Sequence, residues 1–199
     1  MIHVDPKPEP PDFDREIRRP GKAARTKNSQ ALPDLWRKCL QQLWEAYDGV
    51  CAYLAVRIPP GVGARTVEHL APKKKTPDLA YEWSNYRLVC SLMNSRKGQL
   101  EDVLDPFEIE DGWFVLELSS LEALPHPDLK PALRAQVQRT IDRLKLNDLE
   151  CIAARAEHYA AYIEHVGDPK LGIPFGQLRR WNPFVAMELL RQRIVEGAG

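Results

Sequence analysis

A basic excess is missing from this chain: its 199 residues hold 28 basic and 28 acidic side chains, for a formal net charge of zero. A free-standing protein that grips duplex phosphates without sequence preference carries a surplus of Lys and Arg. That class is excluded unless basic groups gather in one strip or a partner supplies the grip. Cysteine is also scarce, and the four at positions 39, 51, 90 and 151 have no spacing of a disulfide scaffold. No run approaches the roughly 18 apolar residues of a membrane-spanning helix, and no charged-then-apolar leader with a cleavage site opens the sequence. Internal repeats and any recognisable helix-turn-helix or zinc-finger reader are absent too. What is present is a chain with 44% hydrophobic residues, enough to bury a core as one compact domain or two small lobes.

Three regions follow from composition and periodicity. Residues 1–31 hold five prolines within the first twenty positions, many charges and few large apolar groups, which predicts an extended arm anchored by Phe13 and Ile17. Residues 32–105 open with Trp36, Leu40, Leu43, Trp44 and Tyr47, whose helical spacing predicts one buried face ending at Asp48-Gly49. Pro59, Pro60, Gly61 and Gly63 then mark a loop, Thr66-Val67 and Leu88-Val89 are β-prone pairs, Pro77–Trp83 reads as a short helix, and Asn94–Leu100 can begin another that continues past Gly98. Residues 106–199 form a mainly helical scaffold or docking lobe. There 113–118 reads as a strand, and Pro131 starts a helix carrying Leu133, Val137, Ile141 and Leu144. Asn147 or Asp148 caps a second helix whose face holds Leu149, Ile152, Ala156, Tyr159 and Ile163 and which Gly167 closes. A last helix spans about 183–196, with a basic flank at Arg179, Arg180, Arg191 and Arg193.

Candidate chemistry lies in the middle region. Glu68 stands beside His69. A carboxylate can hold a hard cation, and an imidazole can take a proton from water near neutral pH. Neighbours on a strand point to opposite faces, so the two converge only where the strand bends or ends. Asn94 offers an amide oxygen, a further ligand suited to magnesium or manganese, which keep several waters of their own. Each residue also has an ordinary reading: Glu68-His69 as a solvated strand edge, Asn85 as a turn residue, Asn94 as a helix N-cap. Lys73, Lys74, Lys75, Arg96 and Lys97 can neutralise phosphates or simply face solvent.

Together, Cys51-Ala52-Tyr53, Val67-Glu68-His69-Leu70-Ala71-Pro72-Lys73, Leu79 to Tyr86 and Cys90 to Gly98 resemble the HNH endonuclease family in order and spacing. The stretch 8–13, Asp105-Pro106-Phe107 and Thr140 to Asn147 resemble, more narrowly, the small bacterial anti-phage HNH proteins of Septu and retron-associated systems, which work beside an ABC-type ATPase. The resemblance implies an α+β fold, with a ββα-metal unit embedded in a mostly helical body. It implies His69 as general base, Asn85 as the residue that braces the loop and orients it, Glu68 and Asn94 as ligands of Mg2+, Mn2+ or Ni2+, and Lys73, Arg96 and Lys97 as nucleic-acid contacts. It further implies cleavage of a phosphodiester bond, in DNA before RNA, by an effector subunit with an ATPase partner; the cysteine usage, the missing leader and the lack of a long apolar run make the cytoplasm, with no membrane association, the expected location. The alternative is an inactive relative that binds nucleic acid or the ATPase without cutting, and a free-standing nuclease with its own sequence specificity ranks third.

Many proteins of that family hold a structural zinc in two Cys-x-x-Cys knuckles. Here the knuckle positions are 51–54 and 90–93, and the second cysteine of each is replaced, by Leu54 and Met93. Two thiolates do not close a tetrahedral site, so no structural zinc is expected and the knuckle reads as degenerate, filled instead by apolar side chains.

Overall fold

The computed structural model of the protein describes residues 1–26, 32–61 and 64–195. The tail of the N-terminal stretch, Gly63 and Glu196 therefore lie outside the described residues. The fold is α+β, mixing helices with two small antiparallel hairpins, and the chain divides into two compact units. One is built from Asp5–Gly49 and Ile58–Glu101, the other from Met1–Val4, Val50–Arg57 and Asp102–Gly199. Among the described residues no helix is long and apolar enough to cross a membrane.

In the first of these units the chain has no regular secondary structure up to Pro10, and within the described residues the expected extended arm then gives way to helix: a π turn over Asp14–Arg18 leads into α1 (Arg19–Thr26). Four of the five prolines precede this segment, so they do not oppose it. Phe13 and Ile17, one turn apart, are both fully buried, and Phe13 meets Trp83 and Tyr86 edge-on at 5.5 and 5.7 Å. Arg18 bonds Glu9, Asp14 and Glu82, at 2.8 Å for Glu82. Gly21 lies so close to the Tyr81 ring that a Cβ there would sit 2.3 Å from it, which makes this approach specific to glycine.

The expected helix over 34–47 is a 3₁₀ turn, Leu35–Cys39, followed by α2 (Leu40–Ala46), and it stops at Asp48 and Gly49, both with positive φ. Strand β1 (Arg65–His69) pairs antiparallel with β2 (Tyr86–Cys90), Glu68 opposite Arg87 and His69 opposite Tyr86. The connection between them carries two 3₁₀ turns, Pro77–Leu79 and Trp83–Asn85. Helix α3 (Ser91–Lys97) follows β2 directly. It does not run past Gly98 as expected: Gly98 adopts φ +45°, donates to the Asn94 carbonyl at 2.9 Å and ends the helix.

In the other unit β3 (Phe114–Glu117) forms a hairpin with β4 (Glu122–Pro125). Helix α4 (Pro131–Leu144) starts on its proline and ends at left-handed Lys145, with the Leu146 amide reaching back to the Ile141 carbonyl at 3.0 Å. Helix α5 (Leu149–Gly167) keeps its expected bounds but buries a different face. Leu149 is 82% exposed and Ile163 49% exposed, while Cys151, Arg155 and Tyr162 are buried. The inward face turns about Arg155, whose Nη1 donates to the Leu121 carbonyl at 2.9 Å and whose guanidinium lies 5.9 Å from the Phe184 ring centroid. A periodicity built on apolar residues alone cannot find a face centred on arginine. Helices α6 (Phe175–Trp181) and α7 (Pro183–Arg191) complete the unit. Asn182 between them caps α7 through Val185 N and donates to the Arg155 carbonyl.

Candidate functional site

The site forms where β1 stops. Val67, Glu68 and His69 are the buried end of the strand, and the chain leaves strand geometry at Leu70. Glu68 and His69, which point to opposite faces while the strand lasts, can therefore both line one cavity of about 320 Å³. The wall is completed by Asp34, Trp36, Thr66, Pro72, Lys73, Asn94, Gly98 and Gln99, all in the same unit.

His69 is held by its far nitrogen. Nε2 lies 3.1 Å from the Ala80 carbonyl, which can only accept, so Nε2 carries the proton and Nδ1 is the acceptor nitrogen. The same carbonyl accepts the Tyr86 hydroxyl at 3.0 Å, and the Tyr86 ring packs edge-on against the imidazole at 5.0 Å. Burial foremost pushes the imidazole down to about 4, against a favourable bond to Ala80, so the ring is neutral at pH 7.

Asn85 closes the long connection. Its Oδ1 accepts from the Ala71 amide at 2.8 Å, its Nδ2 donates to the Ala71 and Leu79 carbonyls at 3.1 and 3.0 Å, and its own carbonyl accepts from the Leu70 amide. The Leu79 bond fixes the residue next to Ala80, so the side chain of Asn85 reaches His69 through the backbone rather than by touching it.

Glu68 is buried at 3% exposure, and burial foremost raises its carboxyl well above the usual range while Lys97 opposes that shift. The Lys97 ammonium stands 3.5 Å from Oε1 and donates to the Leu70 carbonyl at 2.9 Å. Lys97 is 1% exposed. Lys97, expected to contact phosphate, is the last residue of α3 and is held in an internal ion pair with Glu68. Asn94 sits in the middle of α3 with its side of the helix on the cavity, so it is not an N-cap. Lys73 lines the rim and bonds Asp34 at 2.9 Å, whereas Arg96 is half-buried on α3 outside the wall.

Trp36, Asp34, Thr66 and Gln99 belong to the wall although nothing in their spacing marked them, and Trp36 had read as the first residue of a core stripe. Of the knuckle positions, Cys51 and Leu54 are buried and belong to one unit, while Met93, buried, and Cys90, half-buried, belong to the other. Among the described residues no group of three or more His, Cys, Asp and Glu is arranged to hold a metal ion. The donor set at the cavity is the Glu68 carboxylate and the Asn94 amide oxygen, with the Asp34 carboxylate, engaged by Lys73 and Trp36, and the Gln99 amide beside them. It fits a hard divalent cation that keeps most of its waters, and does not fit a closed tetrahedral zinc site. No protein-family model matches the chain, and no curated protein matches it.

Proposed function

We propose that this protein is a divalent-metal-dependent endonuclease of the HNH type, with β1, β2 and α3 as its ββα-metal unit. The observation that carries this reading is the convergence of Glu68, His69 and Asn94 on one cavity wall, with Asn85 bracing the loop that holds His69. The neutral imidazole presents Nδ1 as the proton acceptor for a water, whose oxygen then attacks phosphorus as the bond to the 3′ oxygen breaks, leaving a 5′ phosphate. Glu68 and Asn94 would hold magnesium or manganese, and the ion, when bound, supplies positive charge to the scissile phosphate and the departing oxygen. The even charge balance of the chain supports an assembly in which a partner contributes to the grip on nucleic acid, and the resemblance over 8–13 and 140–147 points to an ABC-type ATPase as that partner.

Supercoiled plasmid and total RNA, each incubated with and without magnesium or manganese, test this reading and identify the substrate. Wild type is expected to cleave one of them only with the ion, and His69→Ala to lose that cleavage. Cleavage unchanged in His69→Ala would overturn His69 as the base.

A second reading draws on the Glu68–Lys97 pair. The buried ammonium already balances the carboxylate without any metal, as a site kept for binding alone would require. Calorimetric titration separates the two: heat of magnesium or manganese binding that Glu68→Gln removes supports the nuclease, and none in wild type, with or without nucleic acid, supports the binding subunit.

A further inference from the structure

We propose that the cavity includes a nucleobase subsite with Trp36 as its stacking platform, so that the protein takes unpaired nucleotides in preference to duplex. This deepens the nuclease reading and rests on it. Trp36 lines the cavity that Glu68, His69 and Asn94 line. It lies in the 3₁₀ turn ahead of α2 and is only half-buried, whereas Trp83, Tyr81 and Tyr86 of the same unit are core residues.

A solvent-facing indole with no task would swing freely. This one is held at its edge, where Nε1 donates to Asp34 Oδ1 at 3.1 Å. The same oxygen takes the Lys73 ammonium at 2.9 Å, so the carboxylate that fixes the ring is neutralised where it would otherwise repel a phosphate. The Arg37 guanidinium lies over the ring with its centre 5.1 Å from the centroid, a second restraint and a source of positive charge. The result is a flat, pre-positioned aromatic surface on the wall of a cavity whose volume falls in the range of small-ligand sites, larger than an ion and a phosphate need.

Bases of an intact duplex are stacked on one another and cannot reach such a surface, but an unpaired base can, and any base presents a π-face to an aromatic side chain. The lack of net positive charge agrees with this, because it weakens binding that depends on tracking duplex phosphates.

The test is fluorescence anisotropy with a labelled oligothymidine and with a labelled duplex of equal length, in EDTA so that neither is cut. Wild type is expected to bind the single strand more tightly. Trp36→Ala should weaken single-strand binding on the order of tenfold and leave duplex binding unchanged, while Trp36→Phe keeps most of the affinity; circular dichroism confirms that both variants are folded. An equal loss on both forms, or unchanged single-strand affinity in Trp36→Ala, overturns the subsite. Tighter binding of duplex by wild type also overturns it and leaves the nuclease reading standing, since metal-dependent plasmid cleavage and its loss in His69→Ala judge that reading separately. Binding of neither form overturns the subsite outright.

Discussion

Among the described residues each unit buries one glutamate, and the two are treated in opposite ways. Glu188 of α7, 2% exposed, accepts from Arg191 and Gln192 and from the Leu116 amide at 3.1 Å. Burial pushes its carboxyl up, but these hydrogen bonds outweigh it and hold the group below the usual carboxylate range. Glu68 is as little exposed but lies deeper in the protein, and its donors, Lys97 at 3.5 Å and the His69 amide, oppose burial without cancelling it, so its carboxyl is raised. The state of each carboxylate is therefore set by burial and by the donors that oppose it, together. A saturated carboxylate is structural. An under-coordinated one on a cavity wall has lone pairs left for a ligand, which is why Glu68, not Glu188, is placed in the site.

The largest effect expected from acting on this contrast is on rate. His69→Ala should lower metal-dependent cleavage by about 10²–10⁴-fold, the usual worth of a general base, measured below the lowered melting temperature that follows from losing the ring's packing on Tyr86 and its bond to Ala80. Single-turnover cleavage of the substrate identified with plasmid and RNA measures it. A fall of only a few-fold would reduce His69 to a packing residue and leave Glu68 without a catalytic neighbour.

Next comes the ion pair. Lys97→Met leaves the Glu68 carboxylate buried without its counter-charge, and breaking such a pair costs about 3–5 kcal/mol. The double variant Lys97→Met with Glu68→Gln should recover most of that loss, since an amide tolerates burial better than an uncompensated charge. Denaturant melts of the two single variants and the double form the cycle. Additive losses would mean that the two residues stabilise the unit independently and that Lys97 acts mainly through the Leu70 carbonyl.

Much of this arrangement was legible in the sequence. The order Glu68, His69, Asn85, Asn94 placed the candidate residues, and Pro131, Asp148 and Gly167 placed the long helices, because cap chemistry and backbone restrictions are local. The inward face of α5 about Arg155, the pairing of Lys97 and the place of Trp36 on the cavity wall are not legible from residue type and periodicity. The partners that decide Arg155 and Lys97 lie far along the chain, Leu121 for the one and Glu68 and Leu70 for the other, while Trp36 is held by its near neighbour Asp34, which is itself fixed by the distant Lys73. The helical start of the N-terminal stretch was hidden in the same way, since its anchor Phe13 packs on Trp83 and Tyr86 far along the chain.

Glu188→Gln should cost about 1–3 kcal/mol, because Gln can accept at one oxygen only and part of the donor set around it loses its partner. Cleavage should be unaffected. The pH dependence has a definite sign. A carboxyl whose folded value lies below its ordinary 4.5 contributes stability that is fully present above 4.5 and is lost as pH falls through the folded value. Melts from pH 7 downward should therefore show a shallower acid loss in Glu188→Gln than in wild type, and Glu68→Gln should leave that acid limb in place. The reverse pattern would exchange the roles assigned to the two glutamates.

The smallest effect tests redundancy. The Arg191 side chain is 44% exposed although its partner is buried, so the ion pair is screened on its outer side and is worth about 0–1 kcal/mol. Arg191→Gln leaves Glu188 its bonds to the Leu116 amide and Gln192, and the expected change in stability stays within that range. Lys97→Met, which removes the charged partner of a glutamate as little exposed, should cost several times more. If chemical denaturation gives equal losses for the two substitutions, then Glu188 depends on its cation as Glu68 does, and the distinction between a saturated and an under-coordinated carboxylate no longer separates the scaffold from the site.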